Sequence, residues 1–224
     1  LEFRVFKFRI FTIATILGMI TFLGLIGTET LIPLYMQNMR GYTALDSGLV
    51  LLPGAIISGL MSPITGRIFD KFGARILSIT GFIIVTIGTV TFGFLGTATT
   101  MLFIMIMYAI RMFGFSMVMM PVTTAGLNQL PPKLIPHGTA MNNTMRQIAA
   151  SIGTAILVTT MTTVAQKTAQ SPAIENPEIH GVNVAFFVIT AISIVGIVLA
   201  FFIKKTSPPT DEEYEKMLRE KQQA

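Results

Sequence analysis

Six stretches of this chain, residues 10–36, 47–69, 76–95, 101–122, 139–164 and 182–203, are apolar on nearly every side. Coiled as α-helices rising about 1.5 Å per residue, each is long enough for the roughly 30 Å of hydrocarbon in a bilayer. A soluble fold needs a polar stripe on each surface helix, and six helices without one cannot all be hidden in a soluble core. Composition agrees: 52% of the residues are hydrophobic and 12% are charged, against about a quarter charged in soluble domains. The chain reads as an all-α membrane protein whose first partner is the lipid bilayer.

The net charge of +5 would suggest nucleic acid in a soluble protein, but here the charges sort by side. Arg4, Lys7, Arg9, Arg67, Lys71, Arg75 and Lys133 fall on one face of the membrane, together with Lys204, Lys205, Lys216, Arg219 and Lys221. Only Arg40 and Lys167 fall on the other. Positively charged loops stay inside, so both ends of this segment are expected in the cytoplasm, and no nucleic-acid partner is needed. This divides the chain into a lead-in over 1–9, a bundle over 10–203 and a polar tail over 204–224, where Thr210 and Glu213 have the spacing to cap a short surface helix. The chain has no cysteine, no HExxH run and no acidic triplet of ligand spacing, so no metal or cofactor is expected. The opening lacks Met and a cleavable apolar leader, and reads as part of a longer chain.

Three ionisable residues lie inside the apolar stretches: Glu29, Arg111 and Arg146. A lone charge at the centre of a bilayer costs at least about 2.5 to 3.5 kcal/mol, so such groups pair with one another or line a watery path. Glu29 comes one turn before Pro33; burial disfavours a charged carboxylate, so it handles a proton or cation, pairs with an arginine, or simply lies near the headgroups. Arg111 follows Tyr108 by three residues, and counting from the cytoplasmic helix ends puts it at a depth similar to Arg146. No carboxylate in this segment clearly reaches that depth, which directs attention to an absent partner bundle or to water. The fifth stretch sets Asn142, Asn143, Arg146, Gln147, Ala150 and Thr154 on one broad face at steps of three and four. Arg146 has three open roles there: anion ligand, counter-charge or interhelical brace. Met101, Met105, Met107, Met112, Met117, Met119 and Met120 crowd the fourth stretch, either as lipid-facing surface or as an adaptable pocket wall. Gly54, Ser58 and Ser62 form a small-residue ridge suited to close packing.

The second connection runs Gly66-Arg67-Ile68-Phe69-Asp70-Lys71-Phe72-Gly73-Ala74-Arg75. Gly73 permits the positive φ of a tight turn, and the charges suit the helix ends they flank. Pro121, Pro131 and Pro132 bracket a further connection. Thr43 and Asp46 have capping-box spacing ahead of the second helix.

The 66–75 run resembles the G-x-x-x-D-[RK]-x-G-x-[RK] loop of the major facilitator superfamily in its C-half copy. Further runs narrow the resemblance: Pro33-Leu34-Tyr35-Met36-Gln37 with 48–53, Arg111-Met112-Phe113-Gly114 with Pro121 and Pro131, and Asn143-Thr144-Met145-Arg146-Gln147 with 151–155. Together they are similar to the fourteen-span drug:proton antiporters of the EmrB/QacA type. The resemblance implies six transmembrane helices forming the C-terminal bundle of such a transporter in a bacterial inner membrane, facing an N-terminal half. It implies export of small lipophilic, cationic drugs in exchange for protons, with antibiotic resistance as the outcome and no enzymatic activity. Glu29 is then the coupling residue; Arg111, Asn143, Arg146, Gln147, Tyr35 and Tyr108 organise the substrate cavity. Gly66, Arg67, Asp70, Lys71, Gly73 and Arg75 form the gating loop. Two alternatives stay open, facilitated uptake of an organic anion and a six-span scaffold that moves nothing.

Overall fold

The computed structural model describes residues 2–170 and 174–203. The expected polar tail and its Thr210–Glu213 cap lie outside the described residues. All regular structure among those described is helical, and five helices are long and apolar enough to cross a membrane. These are α1 (Arg9–Leu34), α2 (Ala44–Thr91), α3 (Met101–Leu127), α4 (Ile135–Thr168) and α5 (Pro177–Ala200).

Local chemistry sets the helix starts. Thr43 accepts from the amide of Asp46 at 3.1 Å while the Asp46 carboxylate accepts from the amide of Thr43 at 2.9 Å, the reciprocal cap that opens α2. Thr100 caps α3, and Pro177 opens α5, where its missing N–H costs nothing. Inside the helices many hydroxyls fold back on the preceding turn, as Thr21 does on the Leu17 carbonyl at 2.7 Å, although those of Thr15, Thr65, Ser78 and Thr154 are buried with no partner among the described residues. Folding back lets threonine sit in an apolar segment without an orphaned donor.

α2 is 48 residues long, and at Gly73 it adopts φ 77°, ψ 168°. That region of backbone space is open essentially to glycine alone. There α2 turns back on itself into two limbs, 44–72 and 74–91, which run in opposite senses along α3. The first limb meets Tyr108 at Gly54 and Met120 at Gly66; the second meets Val118 at Gly81 and Arg111 at Gly88. At the crossing of the second limb with α3, a Cβ on Gly81 would stand 2.8 Å from the Gly114 carbonyl, and one on Gly114 equally close to the Gly81 carbonyl. Only paired glycines allow backbones that near.

One proline position behaves differently from expectation. Pro121 does not end its helix: α3 continues to Leu127 with Pro121 buried inside it. An interior proline costs about 3 kcal/mol, but Val122, Ala125 and Gly126 beyond it are all buried, Gly126 directly on Ala14 of α1. That packing outweighs the break, and the connection shrinks to 128–134. Pro33 likewise lies inside α1, which then widens into a π-helical turn over Tyr35–Met39; π turns commonly absorb such a disturbance.

α1 stands in the middle and packs on α3, α4 and α5. The outer face of the first α2 limb exposes Leu45, Leu49, Leu52, Ile56, Leu60 and Ile64 in helical register. A stripe of that kind requires hydrocarbon or another bundle against it.

Candidate functional site

The polar centre of the bundle is a junction of α1, α2 and α3. Arg111 projects from α3 and is 1% exposed. Its Nε donates to Thr89 Oγ1 on the second α2 limb at 3.0 Å, and its Nη2 donates to the Gly24 carbonyl of α1 at 2.6 Å. Its Nη1 is buried with no hydrogen-bond partner among the described residues. One turn earlier on α3, the Tyr108 hydroxyl donates to Glu29 Oε1 on α1 at 3.3 Å. Both ring and guanidinium rest on glycines. A Cβ at Gly54 would lie 2.5 Å from the Tyr108 ring, and one at Gly24 would lie 3.3 Å from Arg111 Nη2.

The sequence pointed outside this segment for the anionic partner of Arg111. The structure brings one carboxylate into the same cluster: Glu29 of α1 accepts from Tyr108, one turn before Arg111 on α3. Depth counting from helix ends hid this, because α1 and α3 run antiparallel with Glu29 five residues beyond Gly24. Thr89 was not legible, being one threonine among many.

Arg146 lies on α4, half-buried, with its stem against Gly18. Its guanidinium donates to Met119 Sδ at 3.6 Å, makes a short bond to Asn143 Oδ1, and sits 5.9 Å from the Phe22 ring centroid. Arg146 thus meets α1 at Gly18 and Phe22, on the Arg9 side of the Gly24 carbonyl that holds Arg111. The polar face of α4 divides: Asn142 and Ala150 turn into the bundle, whereas Asn143 and Gln147 are exposed. Asn142 Oδ1 is buried without a hydrogen-bond partner among the described residues.

Tyr35 stands apart from this cluster. It is fully buried at the end of the bundle opposite Gly73, where its hydroxyl donates to the Gly96 carbonyl at 2.7 Å. Arg40, not singled out from the sequence, donates there to the Tyr35 oxygen and to the Gly96 and Thr99 carbonyls. Its isolation as one of two cations on that side was the available signal.

The small-residue ridge is close-packed only at Gly54. Ser58 and Ser62 instead border a cleft of about 250 Å³ between the first α2 limb and α3, with Phe115, Met119, Met120 and Thr124 across it. Met112 is buried against Gly54 and Met120 is exposed; the other five methionines of α3 are half-buried. At the Gly73 turn, Arg67, Asp70, Lys71 and Arg75 are exposed and Gly66 is half-buried against Met120. Arg75 lies over the Phe201 ring and Lys71 over Phe72, at 5.9 and 5.5 Å from the centroids. Arg75 thereby links the start of the second limb to the end of α5.

An all-helical bundle with apolar outer faces and a charged junction at its centre defines a multi-pass membrane protein. Its fold matches a structure titled for substrate recognition in proton-dependent oligopeptide transporters, with TM-score 0.72 and 16% identity over 94% of this chain and 45% of that one. The Major Facilitator Superfamily model matches residues 2–154, and the chain belongs to that family. The MFS-type transporter YcnB of Bacillus subtilis (strain 168) is 50% identical over 213 residues, which are 95% of this chain and 45% of YcnB. The lincomycin resistance protein LmrB of Listeria innocua is 40% identical over 211 residues, 92% of this chain and 45% of LmrB. The chain thus spans about half the length of these relatives.

Proposed function

We propose that this chain is the C-terminal bundle of a proton-coupled exporter of lipophilic drugs, lying in a bacterial inner membrane with both of its ends cytoplasmic. Counting the two α2 limbs separately gives six passes over 10–203, and an N-terminal half of the same protein closes the cavity. Alternating access would then proceed by rocking of the two halves about a midplane site. The single observation that carries this reading is the Glu29–Tyr108–Arg111 junction, which no lipid-facing scaffold needs. Glu29 takes up and releases the coupling proton, and its carboxylate is the group available to a cationic cargo. Arg146, Asn143 and Gln147 organise the cavity wall. The Gly66–Arg75 turn, with Arg75 seated on Phe201, governs opening on the cytoplasmic side.

The relatives' resistance names support lincomycin as the first probe. In vesicles holding the full-length protein, lincomycin addition under an imposed pH gradient should release protons from wild type and not from Glu29→Gln. Undiminished proton release by Glu29→Gln removes the coupling role. The half-exposed Arg146 also suits uptake of an organic anion. Accumulation of a carboxylate solute down the proton gradient, without lincomycin export, would establish that reading instead.

A further inference from the structure

We infer that the cleft between the first α2 limb and α3 is a cargo subsite for an uncharged group carrying hydroxyl, ether or carbonyl oxygens. This rests on the exporter reading above and names the part of a drug that this cleft holds. The limb touches α3 at Gly54, where a Cβ would stand 2.5 Å from the Tyr108 ring, and again at Gly66, where one would stand 3.5 Å from the end of Met120. Between those contacts the two helices part around about 250 Å³ of open space. Whole drug-sized ligands occupy roughly 300–1,000 Å³, so the cleft has room for one substituent of a cargo and not for all of it.

The lining sets the chemistry of that substituent. None of the described residues around the cleft is charged. Phe115 and the thioethers of Met119 and Met120 supply apolar walls, and methionine adapts to groups of different shape. Ser116 and Thr123 also border the space, but their hydroxyls are committed to the Phe113 and Met119 carbonyls of their own helix, at 2.7 and 2.8 Å. Ser58, Ser62 and Thr124 differ: they line the same cleft, and their hydroxyls make no hydrogen bond to any described residue. A hydroxyl both donates and accepts, and hydrocarbon can answer neither. Three unengaged hydroxyls among apolar walls therefore suit a ligand with polar atoms better than a lipid acyl chain. Met119 also accepts from Arg146 Nη1 at 3.6 Å, so the cleft shares a wall with the Arg146–Asn143 group. The remainder of the cargo lies on that side, with its neutral substituent held between the limb and α3.

The test uses the full-length protein in lipid vesicles, with lincomycin as the probe. Ser62→Cys, close to wild type in size, should react with N-ethylmaleimide above the background of the parent protein, and lincomycin should slow that reaction. Ser58→Leu, for which the cleft has room, should raise the KM of lincomycin-driven proton release about tenfold or more. Its kcat should stay close to wild type, because only binding of the cargo is impaired. Labelling of Ser62→Cys that lincomycin leaves unchanged overturns the inference, as does a complete lack of labelling, which would mean that another part of the protein fills the cleft. Wild-type proton release in either case keeps the exporter reading. Protection of Ser62→Cys by lincomycin without any proton release upholds the cleft as a binding site and removes the exporter reading.

Discussion

Tyr35 and Arg40 share one acceptor, the Gly96 carbonyl, at 2.7 and 2.8 Å, and the guanidinium also donates to the Tyr35 oxygen at 3.2 Å. The π-helical turn that ends α1 is thereby fastened to the loop between α2 and α3. Hydrogen bonds from charged donors contribute about 1.5–3 kcal/mol, against about 1 for neutral ones. Arg40→Gln is expected to lower the melting temperature in detergent more than Tyr35→Phe, and to speed amide exchange over 96–99. Equal melting temperatures for the two variants would refute that ranking.

Gly54→Ala should be strongly disruptive and Gly59→Ala harmless, although the two residues share one limb of α2. A Cβ at Gly54 would stand 2.5 Å from the Tyr108 ring and 2.9 Å from Met112, whereas no described residue lies within 4 Å of one at Gly59. Overpacking of this kind costs about 1–3 kcal/mol, while alanine for glycine in an open helix position gains up to about 1 kcal/mol. Thermal unfolding of both variants in detergent checks the contrast.

Gly73→Ala is expected to lose about 1–3 kcal/mol, because the backbone there occupies a region that a Cβ makes strained. Gly66→Ala, in the same connection, faces only the flexible end of Met120 at 3.5 Å and should fold at near wild-type yield. Comparable losses in the two variants would show that the turn is set by something other than backbone geometry.

The cap of α2 carries a pH signature. The Thr43 hydroxyl, and then its amide, hold the Asp46 carboxyl below the usual carboxylate range. A folded-state value below the unfolded one means the ionised cap stabilises at neutral pH, and this is lost as pH falls through the lowered value. Thr43→Ala should therefore quicken amide exchange at 45–48 at pH 7. The difference from wild type should fade only on acidification below the ordinary carboxylate range; a difference unchanged there would discount the cap.

Periodicity and turn chemistry made much of the architecture readable. The Gly73 turn and the Thr43–Asp46 cap depend on residues within a few positions of each other, which is the range over which sequence dictates conformation. Pro121 misled because its local cost is visible in sequence, whereas the burial of Val122, Ala125 and Gly126 that offsets it comes from another helix. The central junction was legible in its members but not in its wiring. Arg111 meets Gly24 across 87 positions and Tyr108 meets Glu29 across 79, and no spacing rule connects such residues. Tyr35 shows the same gap: its motif placed it near the cavity, and its partner is a loop carbonyl 61 residues away.

The glycines of α1 limit how that helix can move. Gly18 is pressed against Asn142 and Arg146, Gly24 against Arg111 and Ile189, and Gly27 against Leu157 and Ile189. A Cβ at Gly27 would clash with Leu157, and one at Gly24 would stand 3.3 Å from Arg111 Nη2. With so little clearance on this face, rotating α1 to bring Leu23 or Leu25 round to it would require the neighbouring helices to give way.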